Sequence, residues 1–217
     1  MKIRTSEQFL DKASEEIVWR KKEILVLKGV IESLNDNSGH KTSMLCRSGV
    51  ALLYAHWEGF VKKSGGFFLE YISMQRHEIK DLKPNFITLI LKTKIDQFSD
   101  SKKYSVFDGM VETLLKHPNS QLNVPHKNIV NTQSNLSSTV LKEITWCLGI
   151  DYSHFSTKEV LIDRMLLAKR NHIAHGEEST VGKDDFIELA DEVLGLLETF
   201  RNLIENSVVE KSYLYNS

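Results

Sequence analysis

A segment late in the chain, RNHIAHGEE at residues 170–178, combines three kinds of chemically useful side chain. His172 and His175 carry imidazoles, whose reference pKa of about 6.5 suits proton transfer near neutral pH. Arg170 carries a guanidinium, which is always charged and can hold two phosphate oxygens at once. Asn171, directly after the arginine, can orient a neighbouring group by hydrogen bonding. The segment could therefore combine general acid–base catalysis with stabilisation of an anion.

The segment ends a helix that is predicted to begin near Thr157. Ser156 and Glu159 match the capping-box pattern S-T-K-E. The apolar run VLIDRMLLAK continues the helix to Arg170, and Gly176 stands at the C′ position that glycine favours. The sequence therefore predicts one helix over about 157–175 that presents the polar residues in its last turns.

Arg170 and His175 do not share a face of this predicted helix. They are five residues apart, so their directions differ by about 140°, whereas Asn171 and His175 lie on one face. The two side chains could meet if the arginine reaches around the helix, if the last turn distorts, or if two copies of the helix face each other. In the simplest alternative, Arg170, His172 and His175 are cations that complement the dipole at the helix C-terminus.

Composition and charge restrict the possible classes of protein. The 217 residues are 41% hydrophobic and 26% charged, which suits one domain, 1–217, whose core needs no disulfide or metal. With 28 basic and 29 acidic side chains the formal net charge is −1, so nucleic-acid binding would need a local basic patch. Cys46 and Cys147 lie far apart in apolar runs and are predicted to be reduced core thiols. Neither an apolar N-terminal segment nor a long apolar run is present, so we expect a cytoplasmic protein without a membrane partner.

The chain is predicted to be all-α. It has three prolines and lacks the alternating β-branched residues that are typical of strands. The second long helix, predicted over about 41–75, is apolar on much of its circumference, as expected of a central helix. Its glycines either let a neighbouring helix approach closely or bend the helix. A polar loop over 118–136 contains two of the prolines, and loops of this length are usually functional or disordered. The predicted helices cover about 5–34, 41–75, 84–99, 104–117, 138–147, 157–175 and 183–209.

Two segments resemble HEPN domains (higher eukaryotes and prokaryotes nucleotide-binding). Arg170, Asn171 and His175 match the motif R-N-x-x-x-H, in the penultimate long helix, where the family has it. The segment LLYAHWEGFVKKSGGFFLEYI, residues 52–72, resembles the central helix of the MAE-like group of HEPN nucleases, which has a comparable AHWEGF run. The resemblance covers the two long N-terminal helices and about 140–205. It implies a HEPN-like helical bundle in which about 80–135 is an insertion.

The resemblance also implies a function, that of a metal-independent endoribonuclease acting as a toxin or as a defence-system effector. RNA would be cut by its own 2′-hydroxyl, leaving a 2′,3′-cyclic phosphate. His175 would be the general acid or base, Arg170 would stabilise the phosphorane, and Asn171 would orient the histidine or the phosphate. The expected partners are RNA, a second copy of the chain whose motif helix meets the first, and an antitoxin or defence-system protein. No cofactor is expected.

Two further residues are candidate supporting groups. Glu58 lies in the predicted central helix, where a buried carboxylate needs a partner, so a salt bridge to Arg170 is predicted. An ordinary structural ion pair or a solvent-facing position is the alternative for Glu58. His172 lies inside the motif at a variable position, and His56 and Trp57 are expected in the core. Four lysines, at positions 62, 63, 102 and 103, could contact RNA phosphates or simply face solvent.

Other functions remain open at this stage. The same helices could form a non-catalytic HEPN adaptor that dimerises or senses nucleotides. The chain could also be the partner of a nucleotidyltransferase that adenylylates a tyrosine two positions after the motif histidine, but Glu177 stands there. Metal catalysis is not expected, because no HExxH is present and the H-x-x-H of His172 and His175 has only Glu177 and Glu178 nearby.

Overall fold

The computed structural model describes residues 2–34, 39–97, 107–108, 111–112, 116, 118–121 and 123–215. These residues form seven α-helices, a 3₁₀ turn at Ile79–Asp81 and a π-helical stretch at Leu161–Ala168, together with two isolated β-bridges and no strand. The all-α prediction is confirmed. The helices are α1 Ser6–Glu32, α2 Gly39–Gln75, α3 Pro84–Gln97, α4 Ser138–Leu148, α5 Ser153–Ser156, α6 Lys169–Ala174 and α7 Lys183–Val209.

Helices α1, α2 and α7 pack against one another and enclose the core. α1 begins at a capping box, in which the Thr5 hydroxyl accepts from the N–H of Gln8 at 3.2 Å and the Gln8 side chain accepts from the N–H of Thr5 at 3.3 Å. The inward faces of α1 and α7 follow the predicted apolar spacing, because residues three or four apart lie on one side of a helix. The buried residues of these faces include Phe9, Ile17, Ile24, Ile31, Phe186, Leu189, Val193, Leu197, Phe200 and Ile204.

α2 is the central helix, and α7 approaches it closely at one glycine. A Cβ on Gly49 would lie 2.4 Å from Cε2 of Phe186, so a larger residue does not fit beside this ring. Further along α2, Trp57 and Phe60 both pack edge-on against Phe200, with ring centroids 6.2 Å apart. Of the two roles predicted for the α2 glycines, Gly49 therefore has the first, a close approach of helices.

The start of the motif helix differs from the prediction. The Ser156 hydroxyl donates to the carbonyl of Ser153 at 2.7 Å, and the Glu159 carboxylate accepts from the hydroxyl of Tyr152 at 2.9 Å, so the predicted capping box is wrong. Residues 153–156 form the short helix α5, and the motif helix starts again at residue 159. The S-x-x-E pattern misled because a serine can also donate to a carbonyl in the turn before it.

The segment between α3 and α4 contacts the core. Within the described residues of the polar loop 118–136 no helix is present, as predicted, and Val124, Val130, Thr132 and Leu136 are buried. The predicted helix 104–117 falls largely outside the described residues, and so do the lysines at 102 and 103. That about 80–135 is an insertion stays a prediction.

The predicted core residues are in place. Cys46 and Cys147 are free and buried, and His56 and Trp57 are 2% and 0% exposed. Among the helices that the structure describes, none combines the length and the apolar character needed to cross a membrane.

Candidate active site at the motif helix

The motif helix changes its winding just before the candidate residues. Leu161–Ala168 is π-helical and continues directly into α6. π-Helical turns are rare and often occur at functional sites. The stretch is joined to α4 through Asp163, whose carboxylate accepts from the N–H of Ser138 at 2.7 Å and from its hydroxyl at 2.6 Å. The motif residues therefore follow a widened helical segment that is attached to a neighbouring helix.

The motif helix ends in a Schellman motif. Gly176 has a φ of +75°, its N–H donates to the carbonyl of Ile173 at 3.1 Å, and the N–H of Glu177 donates to the carbonyl of His172 at 2.9 Å. The predicted C′ position of Gly176 is confirmed. His175 is the C-cap residue immediately before this glycine. Backbone hydrogen bonds therefore hold the Cα of His175 in place, and they do not depend on its side chain.

The side chain of Arg170 is directed toward α2 and the polar loop. Its guanidinium donates to the side-chain oxygen of Asn171 at 2.7 Å and to the backbone carbonyl of Ser134 at 2.8 Å. One nitrogen lies 3.7 Å from a carboxylate oxygen of Glu58, and Cζ lies 4.1 Å from the centroid of the Tyr54 ring. These contacts restrain the guanidinium while 23% of the side chain stays exposed. A restrained but accessible guanidinium is suited to binding an anion.

Glu58 forms the ion pair with Arg170 that the sequence predicted. Its side chain is 18% exposed, and its carboxylate accepts from the hydroxyl of Thr132 at 2.5 Å. The separation of 3.7 Å from Arg170 is too long for a hydrogen bond, so the attraction is coulombic in a partly desolvated setting. Glu58 therefore links two elements, because it balances the charge of Arg170 and anchors the polar loop.

Tyr54 lies one helical turn before Glu58 and forms the base of the cluster. Its ring is 2% exposed, and its hydroxyl accepts from the N–H of Leu136 at 2.6 Å. Burial raises the pKa of Tyr54 to about 12, so the phenol stays neutral at physiological pH. A neutral ring beneath a guanidinium provides a cation–π attraction of about 1–2 kcal/mol when the pair is desolvated.

The polar loop reaches the cluster through an unfavourable backbone conformation. Gln133 and Ser134 have φ values of +53° and +59°, in the left-handed region that costs about 1–2 kcal/mol per L-residue. The N–H of Gln133 donates to the side chain of Asn131 at 2.9 Å, and the flanking residues Thr132 and Leu136 are hydrogen-bonded to α2. These bonds hold the strained turn, which directs the carbonyl of Ser134 toward the arginine. Backbone strain that is held by its surroundings occurs often at functional sites.

His175 and His172 lie on the solvent side of the helix end. Both are exposed, and the imidazole of His175 makes no hydrogen bond or ion pair with the other described residues. Nδ1 of His172 lies 2.5 Å from a carboxylate oxygen of Glu177, with both side chains 57% exposed. Arg170 is thus directed inward and His175 outward, as their angular separation predicted. A single chain brings Arg170 to Asn171 and Glu58 but not to His175.

Sequence reasoning assigned no role to three residues of this cluster, Tyr54, Thr132 and Ser134. Tyr54 carried a usable signal, since it precedes Glu58 by four residues and therefore shares its face of α2. Thr132 and Ser134 carried none. Ser134 contributes a backbone carbonyl, which every residue has, and Thr132 lies in a loop without periodicity.

Lys62 and Lys63 of α2 are two of the lysines that the sequence indicates as possible contacts for RNA phosphates. Lys63 lies 3.8 Å from Glu16 of α1, whereas Lys62 is exposed and makes no ion pair or hydrogen bond within the described residues. Among all the residues that the structure describes, no three His, Cys, Asp or Glu side chains are grouped closely enough to hold a metal ion. The motif helix itself presents a guanidinium, an amide and an imidazole, those of Arg170, Asn171 and His175.

The all-helical fold and the R-N-x-x-x-H segment at the end of its penultimate long helix define a HEPN-type domain. The family model of MAE_28990-like HEPN domains matches residues 9–213, which include the central helix, the motif helix and α7. The chain belongs to this HEPN family. No curated protein and no solved structure matches it.

Proposed function

We propose that the protein is a metal-independent endoribonuclease. The observation that supports this most directly is the state of Arg170, a guanidinium restrained by Ser134, Tyr54 and Glu58 yet partly open to solvent. A cation that served only the helix dipole would not need such a setting. The same short helix ends at His175, whose ring is exposed and uncommitted. Together they offer anion binding and proton transfer, which are the two requirements of RNA transesterification.

The reaction follows from these two groups. The 2′-oxygen of RNA attacks the adjacent phosphorus as a base removes its proton, and a phosphorane with additional negative charge forms. Arg170 stabilises this charge through its partly exposed guanidinium. The bond to the 5′-oxygen then breaks, and that oxygen takes up a proton. The products are a 2′,3′-cyclic phosphate and a 5′-hydroxyl, and His175 acts as the acid or the base.

The site is completed in a homodimer. In one chain Arg170 is held against α2 while His175 faces solvent, so the pair does not converge. A two-fold axis beside the motif helices would place His175 of one copy near Arg170 of the other, because such an axis presents the same surface of both copies to each other. Asn171, which already accepts from Arg170, would lie at the seam and orient the phosphate or the histidine.

The biological role that fits this reaction is that of a toxin or defence-system effector that an antitoxin or partner protein inhibits.

One observation favours the alternative function, a non-catalytic HEPN adaptor. The inward contacts of Arg170 are also those of a structural arginine that fastens the motif helix to α2 and the polar loop. The two proposed functions differ in their effect on the cell, since only a nuclease would degrade RNA.

Cleavage of RNA in EDTA separates these functions. Purified wild type, Arg170→Ala and His175→Ala are incubated with total RNA, and the ends of the fragments are analysed. The nuclease proposal expects cyclic-phosphate ends from the wild type, no cut at a position whose 2′-hydroxyl is replaced by hydrogen, and a loss of about 10²- to 10⁴-fold in both variants. Metal-dependent cleavage that leaves 5′-phosphates would mean a different mechanism.

Stability must be measured alongside activity. His175 is exposed at a helix end, so His175→Ala should cost no more than about 1 kcal/mol. Arg170→Ala should cost more, because it leaves the partly buried Glu58 without its cation. His154→Ala, at another exposed histidine, is the matched control and should cut RNA like the wild type. Folded Arg170 and His175 variants that cut RNA within a few-fold of wild type would leave the adaptor as the better account.

A further inference from the structure

A cavity of about 720 Å³ at the far end of α2 is lined by several cations. We call it the basic pocket and define it by four residues, Lys2, Arg4, Arg76 and Lys127. Within the described part of the chain, no carboxylate lines it and none of these four side chains makes an ion pair or hydrogen bond. In a chain of formal net charge −1, this is the local basic patch that the sequence could not locate.

Some cations elsewhere in the molecule are neutralised by a neighbouring carboxylate. Lys28 is bonded to Asp191 at 2.6 Å, and Arg20 to Glu16 at 2.9 Å. In the basic pocket, by contrast, four exposed cations line one cavity with no carboxylate among its described lining residues, and Arg76 has a φ of +53°. Such a grouping becomes favourable when an anion enters it.

A second cavity adjoins the basic pocket and is lined by residues of α2 that lie closer to Glu58. It measures about 320 Å³ and shares His126 with the basic pocket. Its other lining residues include Lys62, Asn128 and Asn131. Lys62 lies one helical turn beyond Glu58 on the same face of α2, and Asn131 precedes the threonine that donates to Glu58. The two cavities therefore lie one after the other along α2, from one helical turn beyond Glu58 to the basic pocket, and we call them the path.

The length and the chemistry of this path suit a nucleic-acid strand. Glu58 and Arg76 are eighteen residues apart, which corresponds to about 27 Å along a helix axis. The path offers ammonium and guanidinium groups for phosphates, and the amide side chains of Asn128 and Asn131 can hydrogen-bond base edges. Among the described residues that line the two cavities there is no Phe, Tyr or Trp, and His126 is the only aromatic ring, so binding would be dominated by phosphate contacts and would depend strongly on salt.

We propose that the basic pocket binds the sugar–phosphate backbone of single-stranded RNA, several nucleotides away from the phosphate that is cut. This inference rests on the proposed nuclease function for its choice of ligand, but not for its geometry. A single strand is assigned because an unstacked strand exposes both phosphates and base edges, and the path offers cations for the first and the amide side chains of Asn128 and Asn131 for the second. The pocket would hold substrate and leave the chemistry to the motif helix.

Binding of a non-cleavable RNA tests the pocket independently of catalysis. The probe is a single-stranded RNA of about twelve nucleotides with 2′-O-methyl groups throughout, followed by fluorescence anisotropy at several salt concentrations. The double variant Arg76→Gln/Lys127→Gln should bind at least about 10-fold more weakly than wild type. Its plot of log K against log salt should be shallower by about 1.4, since each phosphate contact on a single strand contributes about 0.7.

The matched control is Lys22→Gln/Lys41→Gln, which removes two cations away from the path and should bind like the wild type. Equal affinity and salt slope for the pocket variant and the wild type would overturn the proposal, and so would a wild type that does not bind the probe. Tight binding of a mononucleotide, with no gain from chain length, would mean a small-anion site instead. If the pocket variant loses affinity but the wild type never cuts unmodified RNA, the pocket stands and the nuclease proposal fails.

Discussion

The guanidinium of Arg170 is stacked on the ring of Tyr54, with 4.1 Å between Cζ and the ring centroid. The hydroxyl of the same tyrosine accepts from the N–H of Leu136 at 2.6 Å, so one buried side chain holds both the arginine and the polar loop. The position of Arg170 therefore depends on a residue that lies outside the motif. The site belongs to α2 and the loop as much as to the motif helix.

We predict that the two functions of Tyr54 can be separated by substitution. Tyr54→Phe keeps the ring but leaves the buried N–H of Leu136 without an acceptor, which should cost about 1–3 kcal/mol of stability. Tyr54→Leu also removes the stacking on Arg170, so it should lower RNA cleavage further at equal folding. Urea unfolding and cleavage rates of the two variants check this. Equal cleavage by folded Tyr54→Leu and wild type would show that the stack does not position the arginine.

Apolar periodicity predicted the helices because burial on one side of a helix recurs every three to four residues. The Glu58–Arg170 pair was also predictable, since a carboxylate in a central helix needs a cation and the motif supplied one. The capping box at Ser156 failed because the same two side chains found other partners, Ser153 and Tyr152. No residue pattern indicates that a carbonyl such as that of Ser134 will turn toward a distant arginine. Homodimerisation also depends on a surface that a single sequence does not specify.

A pair of glycine substitutions in α2 should have opposite effects on stability. Gly49→Ala places a Cβ 2.4 Å from the ring of Phe186 in the core, so it should destabilise by about 1–3 kcal/mol. Gly66→Ala meets no atom within 4 Å, and alanine is the better helix former by about 1 kcal/mol, so it should be neutral or stabilising. Thermal unfolding of both variants gives the comparison. Similar melting temperatures would show that α2 and α7 can separate without loss.

Acid should weaken the fold through His56. This histidine is buried, its ring packs on Trp19, and its pKa is lowered from the usual value by burial and by the nearby charge of Arg20, against the opposing effect of Glu23. The unfolded chain therefore binds the proton more readily than the folded one. This cost is absent above about pH 6.5, and it grows as the pH falls below that value toward the folded pKa.

The variant His56→Leu should flatten this dependence. Between about pH 7.5 and 5.5, its melting temperature should fall less than that of the wild type. Part of the slope should persist, because burial also lowers the pKa of His77. Parallel curves for wild type and His56→Leu would show that His56 is not the group that responds.

Mixing two inactive variants tests whether the site is shared between copies of the chain. If Arg170 of one copy works with His175 of the other, a dimer of Arg170→Ala with His175→Ala contains one site with both residues intact. Half of the randomly paired dimers are mixed, and each has one of two sites restored, so the mixture should recover about a quarter of wild-type cleavage. Each variant alone should stay inactive. The measurement is the cleavage rate after co-expression or subunit exchange at a constant total protein concentration.

The control for this experiment carries both substitutions on one chain. Mixed with wild type, the variant Arg170→Ala/His175→Ala gives hybrid dimers in which neither shared site is complete, so it should lower cleavage more than simple dilution does. A site within one chain gives the reverse pattern, with no recovery in the first mixture and only dilution in the second. That pattern would place Arg170 and His175 in one protomer, which would require the Arg170 side chain to leave Glu58 and Ser134 or the helix end to rearrange. A protein that light scattering shows to be monomeric, and that cleaves RNA at the full rate in that state, would exclude the shared site directly.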